Sequence, residues 1–262
     1  MKNFLFTLLC LSLFCSCNQP IKSKTTTADS QTVSVQHYPD NIENIFDAHG
    51  GIATWNTFKG LYFEIDKPTI NDRYNVALKS RKSLIQYEYH ELGFDGENVW
   101  LKDLDTISYT SNPKFLYNLM FYFYAMPFVL GDDGIRYKDS DPIHFEGKEY
   151  PGIKISYDAG VGTSSDDEYI IYFNADTHKM EWLAYTVTFF SKEKSKDYHF
   201  IKYSEWETVE GLTLPKTLSW YNYENGQPTT KRNDLHFLNV RLSVKEPSDD
   251  LFKAVDSTTI IK

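Results

Sequence analysis

Beyond residue 60 the chain falls into short runs of β-branched and aromatic residues separated by Gly, Asn, Asp or Pro, a pattern of strands and turns. The runs predict strands at 60–66, 72–79, 83–92, 97–102, 152–158, 168–174, 180–191, 197–207, 212–223 and 233–244, about ten in all. Several alternate between apolar and polar positions. In "DLHFLNVRLSV", His236, Leu238, Val240, Leu242 and Val244 are expected on one face, with Asn239 and Arg241 on the other. The connections are short, and "FDGENVW" at 94–100 and "YENGQPT" at 223–229 have the chemistry of hairpin turns. An antiparallel meander follows.

Helical spacing interrupts this pattern twice. In "PDNIENIFDAHGG", Asp40 can cap a helix that turns Ile42, Ile45 and Phe46 to one side and stops at Gly50-Gly51; Ile52, Trp55 and Phe58 fit one further turn. The second interruption lies in the long break from 106 to 150. There "PKFLYNLMFYFYAM" starts at Pro113 and is ended by Pro127, which predicts a helix over 113–126. Phe115, Leu119, Tyr122 and Met126 would share one side and Leu116, Met120 and Phe123 the next, so the helix is apolar almost all round. A membrane span is a poor account of it, because the uncharged run from Phe115 to Leu130 is short and contains Asn118 and Pro127. The expected fold class is therefore mainly β (α+β): a strongly curved antiparallel sheet or open half-barrel of about ten strands, with an N-terminal helix and a helical lid.

Two roles fit that apolar helix. It closes the core of the sheet, or it shuts a bent sheet over a cavity, where Met and Phe side chains adapt to irregular apolar ligands. On the second reading the ligand-binding residues are Phe115, Leu116, Leu119, Met120, Phe123, Tyr124, Phe128 and Trp182.

The N-terminus places the protein. "MKNFLFTLLCLSLFCSC" has one lysine, an apolar run shorter than the roughly 20 residues of a bilayer span, and Ser16 before Cys17. It is an export signal whose end resembles the lipobox of bacterial lipoproteins, although Phe14 stands where Leu is usual. The expected organisation is a leader over 1–16, an acylated Cys17 with a polar, Thr- and Ser-rich tether over 17–38, and a single domain over 39–262. Such a tether of about 20 residues spans roughly 25 Å. No cysteine follows Cys17, so the domain has no disulfide, thiol nucleophile or Cys-based zinc site. Loss of the leader removes only Lys2 among charged residues and takes the formal charge from −9 to −10. That acidity argues against nucleic acid as a partner and against a polybasic grip on lipid head groups. Membrane attachment is then expected through the N-terminal lipid.

Catalytic patterns are broken or missing. His90-Glu91 lacks the second histidine of a zinc-protease helix, and "GVGTSS" at 160–165 lacks a third glycine. The seven histidines are scattered. "GTSSDDEY" at 162–169 crowds Asp166, Asp167 and Glu168, which could hold calcium but reads more simply as a solvated turn. The five tryptophans Trp55, Trp100, Trp182, Trp206 and Trp220 could stack on sugars if exposed, yet core packing explains them more simply. No catalytic residue, metal ligand or cofactor is nominated.

The layout nonetheless looks familiar. "AHGGIATWNTFKGLYFEI", "FDGENVWL", "AMPFVLGDDG", "YFNADTHKMEWLAYTVTF" and "YSEWETVEGLTLPKTLSWY" together resemble a family of bacterial envelope lipoproteins known only as a domain of unknown function, over about residues 40–245. That family is distantly similar to the LolA/LolB lipoprotein-binding half-barrels. The resemblance implies a carrier or receptor for an acyl chain or other apolar ligand. The lipobox favours an anchored receptor over a diffusing shuttle, and only the acylated cysteine, here Cys17, is carried over. Asn18 after that cysteine, by resemblance to known sorting rules, points to the outer membrane facing the periplasm. The main alternative is an envelope interaction or scaffold protein without a small ligand; a glycan-binding or glycan-active protein is the lesser one.

Overall fold

The computed structural model describes residues 37–158, 166–191 and 193–262. The leader, Cys17 and the tether to residue 36 fall outside the described residues. Tyr38–Lys262 forms one compact unit. Its strands are β1 (Gly60–Ile65), β2 (Asp72–Ala77), β3 (Ser83–Gln86), β4 (His90–Phe94), β5 (Val99–Asp103), β6 (Ile135–Phe145), β7 (Lys148–Tyr157), β8 (Tyr169–Phe173), β9 (Met180–Tyr185), β10 (His199–Val209), β11 (Leu212–Glu224), β12 (Gln227–Ser243) and β13 (Thr259–Ile261). They form one open antiparallel sheet in the order β13-β5-β4-β3-β2-β1-β12-β11-β10-β9-β8-β7-β6. Two meanders thus meet at the β1–β12 pair, where Gly60 lies opposite Ser243 and Ile65 opposite Phe237.

The inner face carries the main core. Phe63, Ile85, Leu92, Ile155, Ile171, Leu183, Ile201, Tyr203 and Leu218 point into it, and the helical segments fill the hollow. Helix α1 (Asp40–Ala48) buries Ile42, Ile45 and Phe46, as its spacing requires. Pro39 rather than Asp40 stands at the cap position; Asp40 is an acid of the first turn, where the helix dipole favours it. Helix α2 (Ile52–Trp55) follows Gly50, whose φ of 101° and distance of 2.2 Å from an added Cβ to the Gly211 carbonyl oxygen leave no room for a side chain.

The outer face has two covers. Over the β2–β5 half, Phe252 of the C-terminal segment caps Ala77, Leu84 and Trp100, and its carbonyl accepts the Trp100 indole N–H at 2.8 Å. Over the other half, the tip of the β6–β7 hairpin folds back, so that Ile143, Phe145 and Tyr150 cover Tyr172, Trp182 and Phe200. A register shift between Ser140 and Ile143 bends β6 there.

Several sequence expectations are corrected. The break at 106–150 contains β6 and the start of β7, and the predicted strand 83–92 is two strands, β3 and β4, joined by a turn. Thirteen strands stand among the described residues where about ten were expected. The face predicted for His236, Leu238, Val240, Leu242 and Val244 does not form. Asn239 adopts φ 53°, and β12 uses one extra residue against β1, pairing Arg241 with Tyr62 but Leu238 with Glu64. This bulge reverses the side-chain parity, so Leu235 and Phe237 before it and Val240 and Leu242 after it all pack on the core, while His236 is exposed.

Candidate functional site

The predicted helix 113–126 is broken. Asn112 caps α3 (Pro113–Leu116) through its side-chain oxygen, which accepts the Phe115 N–H at 3.2 Å. Asn118 then leaves helical geometry at φ −132°, ψ −3°, and α4 (Leu119–Tyr124) begins anew. Asparagine competes for backbone bonds and suits such a junction. A 3₁₀ turn, Phe128–Gly131, follows Pro127. The three pieces cross the hollow of the sheet as a jointed cover. α4 and the turn are anchored by the buried Phe121, Phe123, Tyr124, Phe128, Val129 and Leu130, whereas α3 buries none of its residues fully.

Between this cover and the inner face of β6–β8 lies a cavity of about 130 Å³. Phe115, Leu119, Tyr122, Phe123, Met126 and Val129 line it from the cover; Ile135, Tyr157, Tyr169 and Phe189 line it from the sheet side; Lys114, Asn118, Asp132 and Asp167 stand at its polar margin. Ile135 lies directly opposite Tyr157 in the β6–β7 pairing. Burial pushes the hydroxyls of Tyr122, Tyr157 and Tyr169 above their ordinary range, so all three stay neutral.

Both carboxylates at the margin are engaged within the protein. Asp132 is paired with the Arg81 guanidinium, which also donates to the Leu78 carbonyl and lies 5.2 Å over the Phe121 ring. Asp167 accepts the amide and hydroxyl of Thr188 at 2.6 and 2.7 Å. Its neighbour Glu168 is held by Lys154 at 2.7 Å and Tyr198 at 2.5 Å. These acids brace loops rather than converge on a common point. Lys114 at the mouth makes no ion pair among the described residues.

Of the residues expected to bind a ligand, Phe115, Leu119 and Phe123 line the cavity. Leu116 and Met120 are half-buried against the core beside it. Tyr124 and Phe128 are fully buried, packed on Phe63 and Phe237 and on Trp55 respectively. Trp182 is on the opposite face of the sheet beneath Phe145 and Tyr221 and does not reach the cavity. Ile135, Tyr157, Tyr169 and Phe189 were missed by sequence reasoning. Each is an ordinary apolar strand or loop residue, and only the crossing of the cover over β6–β8 singles it out.

The five tryptophans form no exposed row. Trp55, Trp100 and Trp182 are buried, and Trp206 and Trp220 pack against the main core. The glycan-binding alternative loses its basis. No group of three or more metal-ligating side chains is found among the described residues, and no helix among them is long and apolar enough to cross a membrane.

No curated protein matches the sequence. Among solved structures the chain is similar to a LolA superfamily protein from Nitrosomonas europaea, at 9% identity and a TM-score of 0.45 over 74% of this chain and 88% of that one. It is also similar to a DUF1329 family protein from Desulfovibrio piger, at 14% identity and a TM-score of 0.47 over 82% of this chain and 98% of the other. Residues 99–233, from β5 through the cover and cavity into β12, match the family described as "Family of unknown function (DUF6503)", and the chain belongs to that family.

Proposed function

We propose that this protein binds an acyl chain or another hydrophobic ligand in the cavity beneath α3–α4, as a lipid-anchored component of the bacterial envelope. The observation that carries the reading is the cavity itself, apolar on both walls and closed by a jointed cover whose first piece, α3, is the least buried. Its present volume, about 130 Å³, resembles that of a dry engineered protein cavity that admits benzene. A ring or the tip of an alkyl chain fits as it stands. A whole acyl chain requires α3 to swing outward, and a four-residue helix held by one capping bond and partial burial is the element that can do so at modest cost. Attachment through an acylated Cys17 rests on the lipobox, and export of the domain across the inner membrane on the single lysine and short apolar run that precede it.

The test is mass spectrometry of organic extracts from residues 24–262, made without the leader and Cys17 and purified without detergent. A reproducible lipid is expected from the wild type. Leu119→Trp, which fills the cavity from its own wall, is expected to lose that lipid while keeping its melting temperature within a few degrees. Clean extracts from both proteins would remove the reading and leave the cover as a core element. For the anchor, palmitate labelling of the full chain is expected to vanish in Cys17→Ser.

A further inference from the structure

The cavity is more aromatic than a plain acyl pocket requires. Phe115, Tyr122 and Phe123 line it from the cover, and Tyr157, Tyr169 and Phe189 from the sheet side. The rings of Tyr157 and Tyr169 stand 6.0 Å apart at 86° to each other and so make a corner, while Phe115 packs on Phe189 at 5.4 Å. Aromatic rings are electronegative on their faces, and a box of them holds a cation better than a neutral group of the same size.

The charges at the margin have the sign for such a guest. Asp132 is already matched by Arg81, which is not part of the lining. Asp167 has no cationic partner among the described residues: both of its bonds from Thr188 end on Oδ1, and the neighbouring Lys154 pairs with Glu168 instead. Lys114 is exposed to water at the mouth, where salt screens its charge. The tyrosines register the balance. Burial does most to raise the Tyr157 hydroxyl, and beyond it Tyr122 and the carboxylates of Asp132 and Asp167 raise it further; burial, Tyr157 and Asp167 act likewise on Tyr169. A field that opposes a tyrosinate also opposes a ligand carboxylate or phosphate in the same place, and it favours an ammonium.

We propose that the apolar ligand of this cavity carries an organic cation, a quaternary ammonium or protonated amine, boxed by Phe115, Tyr122, Tyr157 and Tyr169 with Asp167 as its counter-ion. The inference rests on the cavity being a ligand site and adds the sign of the ligand's charge. A cavity of about 130 Å³, the size that admits benzene, suits a compact head such as trimethylammonium. Such heads occur on free amines and on lipids alike.

The experiment titrates residues 24–262, which contain the whole compact unit Tyr38–Lys262, with octyltrimethylammonium, octanol and octanoate in a calorimeter, each below micelle formation. The three ligands share a chain length and differ in charge. Octyltrimethylammonium is expected to bind about tenfold more tightly than octanol, and octanoate more weakly than octanol. Asp167→Asn keeps an oxygen for the Thr188 bonds and loses the charge; it is expected to cut the preference for the ammonium over octanol about fivefold. Octanoate binding as tightly as the ammonium overturns the inference while leaving an apolar ligand site in place. Binding by none of the three overturns both. An Asp167→Asn variant that keeps the full preference overturns the assignment of the counter-ion. Octylphosphocholine, which joins a phosphate to the same head, then separates the two sources: affinity equal to that of the ammonium assigns a lipid head group, and lost affinity a free amine.

Discussion

His49 sits where three elements meet, and its protonation is set by what it touches. The Thr213 carbonyl, which can only accept, lies 3.0 Å from Nδ1; the Met180 amide, which can only donate, lies 3.0 Å from Nε2. The ring is therefore neutral with its proton on Nδ1, and it packs edge-on against Trp206 and Phe128. Burial, opposed by the Thr213 bond and assisted by nearby Lys179, lowers its pKa from 6.5 to about 4. Between those two values the unfolded chain takes up a proton that the folded chain refuses. The stabilisation is thus complete above about pH 6.5, shrinks as pH falls toward 4, and amounts to about 3 kcal/mol over the window. Urea unfolding at pH 7.5 and 4.5 is expected to show that loss in the wild type and a smaller one in His49→Gln, which is less stable at both pH values but cannot titrate. Equal losses would assign the acid sensitivity to carboxylates instead. A second residue-scale prediction concerns Gly93, where an added Cβ would stand 2.2 Å from the Trp100 ring. Gly93→Ala is expected to displace the indole, strain its bond to Phe252, and lower stability by about 1–3 kcal/mol in the same urea assay.

At the scale of elements, the cover is designed in pieces, and its weakest piece is testable. Removing the cap with Asn112→Ala takes about 1 kcal/mol from α3. Hydrogen exchange at Phe115 to Tyr117 is expected to quicken about fivefold, with the melting temperature of the domain hardly moved, because α3 carries no fully buried side chain. Global destabilisation would instead show that α3 is integral to the core. The same segment marks the limit of sequence reading. Its apolar character and its ends at Pro113 and Pro127 were legible, since proline acts locally. The joint at Asn118 was not, because an asparagine inside an apolar run is tolerated or breaks a helix according to what the two halves pack against. β6 escaped for a related reason. "IRYKDSDPIHF" carries four charged residues and a proline, poor strand chemistry that an edge strand accepts because one side of it needs no partner. The reversed parity of β12 turned on Asn239 adopting a left-handed backbone, a choice that depends on strand β1 opposite rather than on β12 itself. Trp182, an obvious aromatic candidate, went to the outer face because the β6–β7 hairpin, itself only half foreseen, supplies the cover it packs under.

For the whole molecule, the decisive feature is that one sheet bears cores on both faces. Strands β2–β5 present Val76, Ile85 and Leu92 inward and Ala77, Leu84 and Trp100 outward, so the Phe252 cover and the main core share the same backbone. Strands β8–β10 do likewise, with Ile171, Leu183 and Ile201 inward and Tyr172, Trp182 and Phe200 under the hairpin. Loss of either cover must therefore be felt through the sheet by the inner core. Phe252→Ala and Phe145→Ala are each expected to lower stability by about 3 kcal/mol, the lower end of the range for a buried phenylalanine, and each to leave a single unfolding transition. The two covers lie on different halves of the sheet and share no partner, so their effects should add to within about 0.5 kcal/mol in the double variant. Two resolved transitions in Phe252→Ala would mean that the β1–β12 seam, rather than the sheet as a whole, is the unit boundary. The cavity lies entirely on the β6–β12 half and its cover. In that event a ligand would protect only the second transition, which calorimetry with added fatty acid would read directly.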